Sequence, residues 1–222
     1  MSIAGRIQEL KRSLPSGVIL VAVSKFHPVE ALQAAYEAGQ RVFGESRAQE
    51  LVAKQRQLPA DIEWHFIGTL QTNKVKEIVP FISLIHSVDS LRLLQEIEKQ
   101  AAKVERVVRV LLEIHVAQEE TKHGLTPEEC RRLLADEAMA HLPHVRICGL
   151  MGMATNTEDE VLIKEEFRQI HALFSELKAG ICQDNPDFTL LSMGMSHDYP
   201  LAIAEGSNLI RVGTYIFGER VY

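Results

Sequence analysis

The chain has 222 residues, 46% hydrophobic and 24% charged, with a formal net charge of −6, a composition ordinary for a globular protein and sufficient for one large core. Its 24 Lys and Arg residues are scattered among 30 Asp and Glu, so no basic stripe marks a nucleic-acid partner. Cys130, Cys148 and Cys182 are far apart and odd in number; they suit neither a disulfide framework nor a metal site, and they point to a reducing cytoplasm.

Residues 1–14, MSIAGRIQELKRSL, lack the apolar centre of a signal peptide and read as an amphipathic helix. No apolar run reaches the roughly 18 residues of a membrane span. From there on, short apolar runs alternate with longer amphipathic ones. The runs at 18–23 (VILVAV), 41–44 (RVFG), 63–67 (EWHFI), 82–87 (ISLIHS), 107–116 (VVRVLLEIHV), 145–151 (VRICGLM), 189–193 (TLLSM) and 209–212 (LIRV) read as strands. Helices are expected at 29–38, 46–57, 72–79, 90–103, 127–138, 158–178 and 198–205. The helix at 29–38 follows Pro28 and ends at Gly39, and the one at 90–103 follows Asp89. The helix at 127–138 has Thr126 as N-cap and Pro127 at its first position. On the third strand, alternation sets Trp64 and His65 on opposite faces. With His65 inside a barrel, Trp64 packs outward against helices. Eight strands separated by seven helices, with an extra helix in front, give an α/β chain that is either a doubly wound sheet or a closed barrel. The strand number and even spacing favour a single (β/α)8 TIM barrel spanning 1–222, in a chain a little shorter than the roughly 250 residues typical of that fold.

The first strand, 18–23, is followed by Ser24 and Lys25, which places an amine at its carboxyl end. An ammonium in an apolar setting is costly, so burial there would shift Lys25 toward its neutral, nucleophilic form. A neutral lysine at a strand end is what Schiff-base chemistry with an aldehyde needs. The plainer alternative is that Lys25 marks where a buried strand meets water.

In a barrel of this class the active site lies at the carboxyl ends of the strands, and phosphate commonly binds at the loops after strands seven and eight. Here those loops are Ser192-Met193-Gly194-Met195-Ser196-His197-Asp198 and Arg211-Val212-Gly213-Thr214. Glycine-bearing loops let backbone N–H groups approach an anion, and a helix N-terminus adds a favourable dipole. Ser192, Ser196 and Thr214 add hydroxyl donors. Alternatively, Ser196 and Asp198 cap the next helix and Gly213 makes a turn. A phosphate on one side and an aldehyde in reach of Lys25 are together met by pyridoxal 5′-phosphate (PLP). Arg211, at the end of strand eight, then faces the pyridine nitrogen, or else it pairs with a carboxylate such as Glu45 or Glu219. A guanidinium donates to that nitrogen and keeps it unprotonated, which makes the ring a poorer electron sink.

Further motifs run through the whole chain: Val21-Ala22-Val23-Ser24-Lys25, Phe43-Gly44-Glu45, Trp64-His65-Phe66-Ile67-Gly68 with Leu70-Gln71 and Asn73-Lys74, Gly149-Leu150-Met151, Leu191 to Asp198, and Ala202-Ile203 with Gly206-Ser207 leading to Phe217-Gly218. In these the chain resembles the pyridoxal phosphate homeostasis proteins (YggS/PROSC-like), which are similar in fold to the N-terminal barrel of alanine racemases (PLP fold type III). The resemblance implies that Lys25 forms the internal aldimine with PLP. It implies that Ser192, Ser196, Gly213 and Thr214, with the backbone of Met193, Gly194 and Met195, hold the phosphate, and that Arg211 meets the pyridine nitrogen. His65 and Met151 line the pocket near the ring. One position departs: the family usually has asparagine near the cofactor after Gly-Glu, where this chain has Ser46. A shorter side chain there implies weaker cofactor retention.

The last predicted strand is followed only by a short segment to Tyr222, whereas the racemases resemble this barrel plus a β-rich C-terminal domain. Two-face proton transfer needs a second base opposite the lysine, and the substitutes in sequence are His65, His197, Tyr199 and Tyr215. The expectation is therefore a PLP-binding protein of vitamin B6 homeostasis with negligible turnover, cytoplasmic and monomeric. It would buffer or deliver PLP and so affect amino-acid and keto-acid balance. The resemblance implies PLP itself as partner, with PLP-dependent apoenzymes or a regulatory protein, and neither nucleic acid nor membrane. The competing readings are a weak fold-type-III racemase or lyase, and a regulatory barrel whose cofactor is structural. His141 and His144 flank Pro143 without a third ligand at metal spacing, so no metal is expected.

Overall fold

The structure, a computed structural model, describes residues 1–118 and 123–219. Helix α1 (Ile3–Ser13) comes first, with the Ser2 hydroxyl capping it by accepting the Gly5 N–H at 3.2 Å. Then follow β1 (Ile19–Val23), α2 (Val29–Glu37), β2 (Val42–Glu45), α3 (Ala48–Gln55), β3 (Glu63–Phe66), α4 (Val75–Ile78), β4 (Leu84–Val88) and α5 (Leu91–Lys103). The second half adds β5 (Val108–Ile114), α6 (Pro127–Leu134), β6 (Val145–Gly152), α7 (Glu160–Ala179), β7 (Leu190–Ser192), α8 (Tyr199–Ala204), β8 (Leu209–Val212) and α9 (Thr214–Phe217). Each strand pairs in parallel with the next, and β8 returns to β1 with Ile19 opposite Leu209, so the sheet closes into an eight-stranded barrel.

The eight apolar runs all form strands. The helices differ from expectation mainly where local hydrogen bonds intervene. The stretch expected at 72–79 divides into a 3-10 turn, Thr72–Lys74, and α4. The helix expected to reach 138 stops at Leu134, and the Asp136 carboxylate accepts the Ala138 N–H at 2.8 Å to start a separate 3-10 turn. Thr126 and Pro127 do open α6, in a full capping box with Glu129. Ser90, not Asp89, caps α5. Helix α9 was not foreseen. It is tied to the front of the chain, where Arg6 Nε donates to the Ile216 carbonyl at 2.7 Å and the Tyr215 hydroxyl to Glu9 Oε2 at 2.8 Å.

Strand alternation divides the buried side chains into two layers. The larger core lies between barrel and helices and includes Phe43, Trp64, Phe66, Leu112, Phe167 and Phe188. Trp64 packs there on Phe43, with ring centroids 5.9 Å apart, while His65 points inward. The smaller core fills the barrel with Val21, Leu84, Leu111, Cys148, Met151, Leu190 and Leu209. Between β5 and β6 the register slips: Val110 faces Ile147, but Leu111 faces Gly149, which leaves Cys148 as the extra residue of a bulge. Gly149 completes it with φ +148°, pressed against β7.

Candidate cofactor-binding site

At the carboxyl ends of the strands a cavity of about 190 Å³ opens between β1, β3, β6, β7 and β8. It has room for a small ligand, below the roughly 300–1,000 Å³ of pockets for drug-sized molecules. Lys25, Met195, Ser196, Arg211, Gly213 and Thr214 line it, so it unites residues from the first strand end with those of the last two loops. Val23, His27, Ile67, Met153 and His197 complete the wall. Among the described residues no carboxylate contributes to that lining. Such a surface suits an anionic ligand.

His65 and Met151 lie one layer deeper. Met151 belongs to the inner core and His65 is 5% exposed. Their places at the cavity wall are taken by Ile67 and Met153, two residues further along the chain and just past the ends of β3 and β6. Alternation reveals which face a residue occupies, but not its height in the barrel. Ser192 is fully buried beneath Arg211. Met193 turns into the outer core, and its N–H faces the Ser207 hydroxyl and the Leu209 carbonyl. Gly194 has φ +93°, and a Cβ there would stand 2.7 Å from that of Ala202. Ser46 lines a separate hollow with Arg47, Gln71 and Lys74. His27, Ile67 and Met153 are additional to the residues expected from the sequence, whereas His197 belongs to the expected loop after strand seven.

The two loops are joined directly. Ser196 Oγ accepts the Gly213 N–H at 3.1 Å, which leaves the hydroxyl hydrogen to be donated elsewhere. Asp198 does not cap α8 with its side chain; Oδ1 instead accepts the Met195 N–H at 2.5 Å and fixes the loop. Gly213 lets the last loop lie against β1, since a Cβ there would sit 3.0 Å from the Val23 carbonyl oxygen. Arg211 meets neither Glu45 nor Glu219. Its Nη1 donates to the Ser192 carbonyl at 2.9 Å and to Ser192 Oγ at 2.6 Å, and its Nη2 to the Gly152 carbonyl at 3.0 Å. Burial lowers its pKa to about 10, opposed by Asp198 and Glu113, so it stays protonated at neutral pH. Below it, His86 Nδ1 is 3.1 Å from Ser192 Oγ, and His86 Nε2 is 3.0 Å from His65 Nδ1. Burial pushes His65 down to about 3 and His86 well below its ordinary value. Both rings are therefore neutral beneath the guanidinium.

Glu113, 5% exposed, is the buried acid of this interior. Burial pushes its carboxyl up to about 7 from an ordinary 4.5; nearby Asp89 adds to the rise and Arg211 opposes it. The folded state therefore holds this proton more tightly than the unfolded chain. The associated stability is fully present below about pH 4.5 and is lost as pH rises through about 7. Over that window the wild type should lose up to about 3 kcal/mol relative to Glu113→Gln. Urea melts of both proteins from pH 4.5 to 8 check this, and parallel curves would contradict it.

Residues 2–221 match the family model for the alanine racemase N-terminal domain. The pyridoxal phosphate homeostasis protein of Aquifex aeolicus is 43% identical over 204 residues, covering 91% of this chain and 87% of that protein. The homologue of the same name in Synechocystis is 38% identical and covers 96% of each. The chain belongs to the pyridoxal phosphate homeostasis protein family. Among solved structures, PipY of Synechococcus elongatus, determined without PLP, superposes on this family member with a TM-score of 0.90 at 40% identity, covering 98% of this chain and 100% of PipY. The PLP-bound form of PipY gives 0.88 with the same coverage. Alanine racemase from Streptomyces coelicolor shares the barrel alone, with a TM-score of 0.77 at 20% identity over 57% of its own length. Among the described residues of this homeostasis-family chain, no helix is long and apolar enough to cross a membrane.

Proposed function

We propose that this protein binds pyridoxal 5′-phosphate, anchors it covalently on Lys25, and serves PLP homeostasis by buffering or delivering the cofactor. The observation that carries this reading is the cavity itself, a carboxylate-free space shared by Lys25, Ser196, Arg211, Gly213 and Thr214. PLP supplies an aldehyde that condenses with a lysine amine, releasing water. In this chain Ser196 and Thr214 would donate hydroxyls to the phosphate, and Gly213 would bring backbone close to it. Arg211 would donate to the pyridine nitrogen, with Ser192, His86 and His65 holding it from below. Met151 supports the floor, while the backbone of Met193, Gly194 and Met195 shapes the phosphate loop. Ser46 affects the site from the neighbouring hollow.

A permanently protonated guanidinium against the ring nitrogen restrains electron withdrawal. That argues for holding the cofactor over amino-acid turnover, in a monomer whose protein partners are PLP-dependent apoenzymes or a regulatory protein. A weak racemase remains the alternative, because His27 and His197 reach the cavity wall as possible bases.

The test is the absorbance spectrum of the purified protein with added PLP, compared with Lys25→Ala. The wild type should show a visible band that borohydride abolishes and the variant lacks. Absence of the band from the wild type would remove the anchor. Chiral analysis after incubation with single amino-acid enantiomers should find no significant racemisation; clear racemisation would turn the reading to an enzyme.

A further inference from the structure

We infer that a buried cluster of Glu45, Lys54 and Glu50, outside the barrel wall, is the positioning device of Lys25: it clamps the two peptide units on either side of that residue. The inference rests on the reading of Lys25 as cofactor anchor and goes beyond it, since none of the three residues lines the cavity.

Alternation turns Gly44 inward and Glu45 outward at the end of β2, toward α3. Lys54, on α3, is 5% exposed and Glu45 is fully buried. The ammonium has three hydrogens and three acceptors: Glu45 Oε1 at 2.7 Å, Glu50 Oε1 at 2.7 Å and the Ser24 carbonyl at 2.8 Å. Glu45 Oε1 also accepts the Ser24 hydroxyl at 2.6 Å, and Glu50 Oε1 accepts the Phe26 N–H at 2.7 Å.

The Ser24 carbonyl belongs to the peptide unit entering Lys25, and the Phe26 N–H to the unit leaving it. Both units are therefore tied, through Lys54 and Glu50, to one ion cluster between β2 and α3. Fixing both peptide planes fixes the Cα–Cβ direction of Lys25 and thus the region its amine sweeps.

Two features show that the cluster serves geometry more than stability. Phe26 has φ +68°, a left-handed conformation uncommon for a bulky side chain and found where surrounding structure enforces it. Arg47 holds the same residue from its ring face, with the guanidinium 4.7 Å from the ring centroid. In addition, Glu45 Oε2 is buried with no hydrogen-bond partner. A buried ion cluster with an orphaned oxygen is a poor stabiliser compared with apolar packing of the same volume.

The experiment uses Lys54→Met, Glu50→Ala and Glu50→Gln in the full chain. Three quantities are read: amide exchange at Phe26 in the cofactor-free protein, affinity for pyridoxine 5′-phosphate, and the rate of covalent PLP attachment. Pyridoxine 5′-phosphate has the ring and phosphate but no aldehyde, so it reports the cavity without the lysine step. In Lys54→Met, Phe26 exchange should accelerate and covalent attachment should slow by roughly tenfold to a hundredfold, the scale of a misplaced reacting group. Affinity for pyridoxine 5′-phosphate should stay within about twofold of the wild type, because its contacts are untouched. Glu50→Ala, which leaves Lys54 paired with Glu45, should show the same pattern and keeps the test open if Lys54→Met fails to fold. Glu50→Gln retains an oxygen acceptor for the Phe26 N–H and should recover most of the rate.

Wild-type attachment rates in the folded variants would overturn the inference. A parallel loss of analogue affinity and attachment would also overturn it, by making the cluster merely structural. If the wild type itself attaches no PLP, the anchor reading fails. The clamp is then judged by Phe26 exchange alone, and unchanged exchange in the variants would refute it.

Discussion

Gly149→Ala is expected to destabilise the protein by about 4 kcal/mol and to lower its melting temperature by roughly 8–16 °C. A Cβ at that position would lie 1.8 Å from the Leu190 carbonyl oxygen and 2.7 Å from its carbon. These are backbone atoms of β7, so no side-chain rotation relieves the overlap. The residue also has φ +148°, where L side chains are strained. Relief would require β6 and β7 to separate, and the end of β7 is Ser192, on which Arg211 rests. Gly39→Ala supplies the control. It has φ +88° but open space around the missing Cβ, so only the backbone cost of about 1–2 kcal/mol applies. Thermal melts of both variants check the difference; equal shifts would show that β7 yields easily.

Arg211→Met is expected to cost the cofactor-free protein about 3 kcal/mol and to weaken PLP binding at least about tenfold. The guanidinium satisfies the Ser192 carbonyl, the Ser192 hydroxyl and the Gly152 carbonyl at once, bridging β6 and β7. A thioether removes the guanidinium donor from the buried Ser192 and Gly152 carbonyls, which is costlier than removing an exposed bond. Arg211→Lys should not restore the wild type, since a single ammonium lacks the planar fork that reaches both strands. Urea melts and PLP titrations of the two variants decide the matter, and a wild-type melt for Arg211→Met would refute the bridging role.

The barrel was legible because its strands are short apolar runs at even spacing and its helices carry caps such as Thr126 with Pro127. The mouth was legible where chain order alone decides it: Lys25 follows the first strand by two residues, and Ser196, Gly213 and Thr214 follow the last two. Height within the barrel was not. His65 and Met151 share a face with Ile67 and Met153, and only strand stagger decides which pair meets the cavity. Glu45 shows a second limit. In sequence it stands, with Glu219, as the alternative partner of Arg211, yet the pleat turns it outward to Lys54, nine positions along the sequence, on a helix whose orientation no local pattern specifies. The short closing segment could be read only as far as Glu219; Tyr222 lies outside the described residues. Helix α9 leaves no signal in the sequence because a single turn, Thr214–Phe217, is too short to carry periodicity.

The tie between Arg6 and the Ile216 carbonyl, like the pairing of Ile19 with Leu209, has a consequence during translation. Lys25 leaves the ribosome well before Gly213 and Thr214, which lie 188 and 189 residues further along the chain. At about 5–20 residues per second, roughly 10–40 seconds separate them. A nascent chain therefore carries the Lys25 amine long before the other side of the cavity exists. On the proposed reading, assembly of the complete cofactor site is then a late event, timed by closure of the two ends of the barrel.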